Sequence, residues 1–205
     1  MYRKIKEFEF KGEIYMLTHK GTQIINTDRL LLRKLEVADA HDMFKNWATD
    51  SEVTKFLSWK PHHNVDETKE ILKQWVNEYE NDDNYDWAIV LRDIGEVIGE
   101  ISLVRMDKKH YSCEVGYCMS RKYWNMGIMT EALKAVINYL FSEVGFNRII
   151  ATHDTNNIAS GKVMIKSGMI YEGTLRQSRW RDNKGFYDLA VYAILKDDWL
   201  NGLEE

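Results

Sequence analysis

Apolar positions along the chain switch period several times, and the switches lay out the elements. Met129, Ala132, Leu133, Val136, Ile137, Leu140 and Phe141 recur at helical spacing, which predicts an amphipathic helix over about Ile128 to Glu143. Two weaker helical stretches precede it. One runs from about Val37 to Ala48 with Ala40, Met43, Phe44 and Trp47; the other runs from about Asp66 to Tyr79 with Ile71, Leu72, Trp75, Val76 and Tyr79. A shorter helix from about Asn157 to Ser167 is stopped by Gly168. Extended runs read as strands at Leu30–Leu32, Trp87–Leu91, Val97–Leu103, Tyr111–Met119, Arg148–Thr152, Met169–Leu175 and Tyr187–Leu195.

The resulting order, β-α-α-β-β-β-α-β-α-β-β, predicts an α+β or mixed α/β sheet and not the regular alternation of a dinucleotide-binding fold. Phe8–Phe10 and Ile14–Met16 flank Lys11-Gly12-Glu13 and read as a short hairpin. This divides the chain into an N-terminal hairpin-like extension over residues 1–26, a candidate sheet-edge addition or homodimer contact, and a main domain over residues 27–205.

Composition narrows the class. With 205 residues, 44% hydrophobic and 29% charged, the chain can bury a full core without cross-links. A net charge of -4 argues against broad nucleic-acid binding, which needs a basic face. No apolar run approaches the length of a membrane span, and the first residues lack the apolar stretch of a secretion signal. Cys113 and Cys118 lie five apart on one predicted strand, so they point to opposite faces and do not bridge. A soluble, reduced, cytoplasmic protein is expected.

The segment Arg121-Lys122-Tyr123-Trp124-Asn125-Met126-Gly127-Ile128-Met129-Thr130-Glu131-Ala132 carries the chemistry. A strand ends, a short loop brings two cations and a glycine, and a long helix begins. Unpaired amides and the positive end of the helix then converge on one point, which suits a phosphate or pyrophosphate. An ordinary strand-loop-helix junction explains the same pattern equally well.

The residues themselves decide between these readings by likeness. Lys122-x-x-Asn125-x-Gly127 resembles the acetyl-CoA pyrophosphate loop of GNAT acyltransferases, and the continuation Gly127 to Leu133 resembles the RimJ/RimL-like branch. Three further segments agree in order and spacing: Thr27 to Arg33, Glu114-Val115-Gly116-Tyr117, and Asn157-Ile158-Ala159-Ser160 with Lys166 to Met169. The likeness spans about Thr27 to Leu195. Two positions depart from the family pattern. Asn125 stands where glycine is usual, and asparagine tolerates left-handed backbone angles. Lys122 replaces glutamine or arginine and keeps only a point charge.

The resemblance implies a GNAT fold, with a central, mostly antiparallel, twisted sheet that splays near Cys118. Acetyl-CoA is the implied cosubstrate and an amine the acceptor; no metal is expected and, from the charge and the lack of a long apolar run, no nucleic-acid or membrane partner. The pantetheine arm would lie along Tyr117, Cys118, Met119 and Ser120, and the pyrophosphate at Lys122, Asn125, Met126, Gly127, Ile128, Met129 and Thr130. Glu114 is the first choice for general base, with a structural ion pair or the solvent face as its alternative. Glu100 is the second candidate and Asp188 the third, both placed at the acceptor cleft, where Asp188 would rather bind substrate or hold a loop. Ser160 would meet the leaving thiolate and Asn157 would contact acetyl-CoA, although Asn157 is also an ordinary helix cap. Trp59 is a candidate for the acceptor pocket or a packed loop aromatic.

Amine chemistry constrains the acceptor a little. At pH 7 an α-amino group costs about 1–1.4 kcal/mol to deprotonate and a lysine about 4.6 kcal/mol, both within reach of general-base help. His62-His63 reads as a surface loop beside Pro61, and His153 as a structural residue or a proton shuttle. Cys118 shows no partner base for a covalent route. The competing readings are an aminoglycoside or polyamine acetyltransferase and a non-catalytic acyl-CoA-binding module. A nucleotide-binding protein using the same anion loop is a third reading, disfavoured because the glycine-lysine cradle of a P-loop is missing.

Overall fold

The structure is a computed structural model that describes residues 8–10, 13–182 and 185–203. Strands β1 (Phe8–Phe10) and β2 (Glu13–Tyr15) pair antiparallel as the expected hairpin; its turn, Lys11-Gly12, lies outside the described residues. Eight strands form the main sheet: β3 (Ile25–Asn26), β4 (Leu30–Arg33), β5 (Asp86–Leu91), β6 (Glu96–Asp107), β7 (Ser112–Met119), β8 (Arg148–Asp154), β9 (Ile170–Arg181) and β10 (Gly185–Leu195). They lie in the order β3-β4-β5-β6-β7-β8-β10-β9. Every neighbouring pair runs antiparallel except β7 and β8, which are parallel.

Alternation along the strands sorts side chains between two helical layers. One layer holds α1 (Ala40–Met43), set between a 3-10 turn and a π-helical turn, then α2 (Ser51–Thr54) and α3 (Val65–Glu78). Met43, Trp47 and Leu72 pack there with Ala88, Val97 and Cys118. The other layer is built on α4 (Ile128–Tyr139), whose Met129, Ala132, Leu133, Val136 and Ile137 are all buried against the sheet. Leu140 and Phe141 continue that stripe through a π-helical turn, Leu140–Val144. Helix α5 (Ile158–Lys166) contributes Met164, and α6 (Lys196–Asn201) closes the described chain.

The two cysteines sit on opposite faces, Cys113 in the α4 layer and Cys118 in the α1–α3 layer, and both are free thiols. The chain from Thr18 to Asn26 runs along the main domain. Thr18 N–H donates to Val144 O at 2.9 Å and Trp87 Nε1 to Gln23 O at 2.7 Å, before β3 joins the sheet.

Several sequence expectations shift. β6 and β9 are longer than their apolar runs, because cross-strand pairing carries them through exposed polar residues. His62 is a correction: it is buried, and its Nδ1 lies 2.8 Å from Thr68 Oγ1. The loop after Pro61 therefore folds inward at His62, while the neighbouring His63 stays exposed. No helix among the described residues is long and apolar enough to cross a membrane.

Candidate active site

Strands β7 and β8 start side by side and then part. Their ladder runs from Ser112↔Arg148 to Val115↔Ala151 and ends there. Beyond it, β7 stays paired only to β6, with Ser120 N–H donating to Ile98 O at 2.8 Å. Alternation of the ladder turns the backbone groups of Tyr117 and Met119 toward the gap, while Cys118 and Ser120 face β6. Trp124 Nε1 already donates to Met119 O at 3.0 Å, which leaves the Tyr117 groups and the Met119 amide open.

The gap widens into a cavity of about 720 Å³. One end is the loop before α4. Asn125 has φ 61° and Gly127 φ 74°, so both adopt the left-handed conformation that asparagine tolerates and glycine favours. Gly127 is the N-cap of α4 and supplies no side-chain acceptor, so the first amides of the helix stay free. Free amides at a long helix's positive end, next to an unpaired strand edge, fit an elongated anionic ligand.

The middle of the cavity carries the polar groups. Glu114 lies on β7 with its side chain 13% exposed; Thr152 Oγ1 donates to Glu114 Oε1 at 2.8 Å, and Arg105 Nη1 lies 3.8 Å from Glu114 Oε2. Tyr117 Oη lies 3.0 Å from Ser160 Oγ and donates to Ser160 O at 3.1 Å. Burial pushes the Tyr117 phenol far above its ordinary range, against the smaller opposing effect of the Ser160 contact, so it stays protonated. Asn157 caps α5 through Ser160 N–H at 3.4 Å, a weak bond. His153 is buried with Nδ1 2.8 Å from Asp154 O, and its Nε2 has no partner.

The far end is closed by a latch. Arg181 Nη1 donates to Asp154 Oδ2 at 2.9 Å, Nη2 donates to Phe56 O at 3.2 Å, and the guanidinium stacks 4.2 Å from the Tyr187 ring centroid. Burial works to raise the Asp154 carboxyl, but the bonds from Asn156 and Arg181 outweigh it and hold it below the usual carboxylate range.

Of the residues singled out from sequence, Glu114, Tyr117, Cys118, Met119, Asn125, Gly127, Ile128, Met129, Thr130, Asn157 and Ser160 line this cavity. Ser120, Lys122, Met126, Trp59, Glu100 and Asp188 do not. The Ser120 amide is committed to Ile98, and Lys122 Nζ lies 5.1 Å from the Tyr123 ring centroid. Met126 is exposed. Trp59 packs on His62 with ring centroids 5.0 Å apart. Asp188 Oδ1 accepts Gln177 N–H at 2.7 Å, beside the left-handed Gln177 at φ 48°, so it clamps an irregular stretch of β9. Nothing local in the sequence marks Thr152 as the partner of Glu114, or Asp154, Phe56 and Arg181 as a latch, because the groups that meet are 27 to 125 residues apart.

Glu100 lies across from Cys118 in the β6–β7 ladder, and its Oε2 is sealed without a partner; Asp86 Oδ1 is likewise orphaned. Burial raises the Glu100 carboxyl to about 7, and burial plus the neighbouring Glu100 raises Asp86. Between pH 4.5 and 7 the native state keeps a Glu100 proton that the unfolded chain has lost, so stability falls as pH rises through that window. Glu100→Gln removes that penalty. The melting temperature should rise by several degrees at pH 8, at about 2–4 °C per kcal/mol for a domain of this size, and change little at pH 4.5. Equal shifts at both pH values would contradict the assignment.

With this geometry in place, sequence comparison decides the family. Residues 29–170 match the sequence profile of the acetyltransferase (GNAT) domain. The chain belongs to the GNAT acetyltransferases. It is 32% identical over 173 residues to an uncharacterized N-acetyltransferase of Bacillus subtilis, YoaA, covering 84% of this chain and 97% of that one. It is 26% identical over 191 residues to the [Ribosomal protein uS5]-alanine N-acetyltransferase of Escherichia coli, covering 87% and 93%. A crystal structure of a GNAT-family acetyltransferase from Bacillus anthracis superposes with a TM-score of 0.74 at 28% identity, covering 85% of this chain and 99% of the other. This GNAT chain is an acetyl-CoA-dependent N-acetyltransferase. Among its described residues, no group of three or more His, Cys, Asp or Glu side chains could hold a metal ion.

Proposed function

We propose that this acetyltransferase is a RimJ/RimL-like enzyme that acetylates the N-terminal α-amine of a protein or peptide in the cytoplasm. The charge along the middle and far end of the cavity, where Glu52, Glu114 and Asp154 are its lining carboxylates, carries this reading. Asp154 is neutralised by Arg181, and Glu52 is paired with Lys55 at 2.5 Å, which leaves Glu114 beside Arg105. Polyamines and aminoglycosides bring several cations and need several free carboxylates; a single α-amine needs one. The lower cost of deprotonating an α-amine points the same way. The likeness to the E. coli enzyme named for a ribosomal-protein alanine adds support.

In this reading acetyl-CoA lies along the β7 gap, with its pyrophosphate at the loop Asn125 to Gly127 and the first turn of α4, and supplies an activated acetyl thioester. Glu114 takes a proton from the attacking amine. As the new C–N bond forms and the C–S bond breaks, the Ser160 hydroxyl, which lies 3.0 Å from Tyr117 Oη, turns to donate a hydrogen bond to the leaving sulfur. In this reading Cys118 carries no acyl group. Burial, with Glu100 and Asp86 nearby, pushes its thiol well above the ordinary range and keeps it neutral.

Acetylation rates across a panel of amines test the acceptor. Peptides with a free α-amine should show kcat/KM about tenfold or more above Nα-blocked lysine peptides, polyamines and aminoglycosides, the order of preference expected from one charged contact. Preference for a polyamine or an aminoglycoside would overturn the reading.

A further inference from the structure

The loop that faces the pyrophosphate site is held from behind. Glu131, in the first turn of α4, accepts from Thr27 Oγ1 at 2.6 Å, Arg29 N–H at 3.0 Å and Arg29 Nε at 2.7 Å. Burial works to raise the Glu131 carboxyl, but these bonds outweigh it and keep it ionised. Thus fixed, Arg29 donates through Nη1 to Met126 O at 2.9 Å. In a trans peptide the carbonyl and the following N–H point in opposite directions. Holding Met126 O toward Arg29 therefore aims the Gly127 N–H away from Arg29, and Gly127 lines the cavity. Glycine adopts positive and negative φ about equally, so Gly127 alone does not choose which way that peptide faces. A contact from outside the loop must choose.

We propose that Arg29 is a positioning residue that sets the Met126–Gly127 peptide so that its amide meets the acetyl-CoA pyrophosphate. The proposal rests on the reading that the nucleotide end of acetyl-CoA lies at this loop. Arg29 acts through its fork: Nε is anchored on Glu131 while Nη1 reaches the carbonyl. Lysine keeps the charge but has a single nitrogen and cannot make both bonds in that geometry.

Calorimetric titration with acetyl-CoA, run beside turnover with acetyl-pantetheine, tests it, because acetyl-pantetheine lacks the pyrophosphate. Arg29→Ala and Arg29→Lys should each weaken acetyl-CoA binding about tenfold, the scale of one charge-assisted hydrogen bond. Both should keep kcat/KM for acetyl-pantetheine within about twofold of wild type, since no contact to that donor changes. Full affinity in Arg29→Lys would overturn the proposal and reduce Arg29 to a nearby charge. A parallel loss with acetyl-pantetheine would also overturn it and point to general damage. A wild-type enzyme that binds acetyl-CoA no better than acetyl-pantetheine would instead remove the pyrophosphate assignment beneath the proposal.

Discussion

Glu114→Gln is expected to lower kcat by about 10²–10⁴-fold, the range general-base help supplies. Acetyl-CoA affinity should stay close to that of wild type, because Glu114 sits on the stretch of β7 still paired with β8 and away from the loop. Glutamine keeps the volume and a carbonyl that can accept from Thr152 Oγ1, so the structural contact survives while the proton acceptor is lost. The loss should therefore fall on kcat and not on melting temperature. Steady-state kinetics with a saturating amine measures it. A fully active variant would leave Glu114 as the structural partner of Thr152 and Arg105.

The second large effect concerns the splay itself. Gly99 on β6 lies opposite Met119, and a Cβ there would stand 2.5 Å from Cys118 O and 2.9 Å from Met119 Cα. These are backbone atoms and cannot swing aside. Gly99→Ala must push β7 away from β6 at the point where β7 has already lost β8. Overpacking of this kind costs about 1–3 kcal/mol, or about 2–12 °C in melting temperature for a domain of this size. Moving Cys118 and Met119 should also weaken acetyl-CoA binding, unlike an overpacking defect remote from the gap. Thermal melts with and without acetyl-CoA read both effects. A variant that melts and binds like wild type would show that the strands can part there freely.

How much of this was legible in the sequence depended on the range of the interactions. The α4 stripe was readable residue by residue, because an amphipathic helix writes its buried face at fixed local spacing. The loop was readable for the same reason: Asn125 and Gly127 are the residue types that accept positive φ, and both do so. The ends of β6 and β9 were not, since Arg105, Arg179 and Arg181 carry no apolar signal and are held in strands by their partners. Helix α2 spans only four residues, too few for a period to show. The inward turn of His62 depended on finding Thr68 as a polar partner. Tertiary contacts stayed hidden for a simpler reason. Arg29 meets Met126 from 97 residues away and Arg181 meets Phe56 from 125, and no local pattern records such a meeting.

In the proposed mechanism acetyl-CoA bound along the β7 gap gives its acetyl group directly to an amine. Release of free CoA thiol, followed together with the mass of the acceptor, tests it. With a peptide bearing a free N-terminus, thiol release should match one acetyl group gained on the α-amine, with no acetylated enzyme at Cys118. Acetyl-CoA that binds tightly while no amine in the panel ever releases thiol would contradict the account and make the chain an acyl-CoA-binding module.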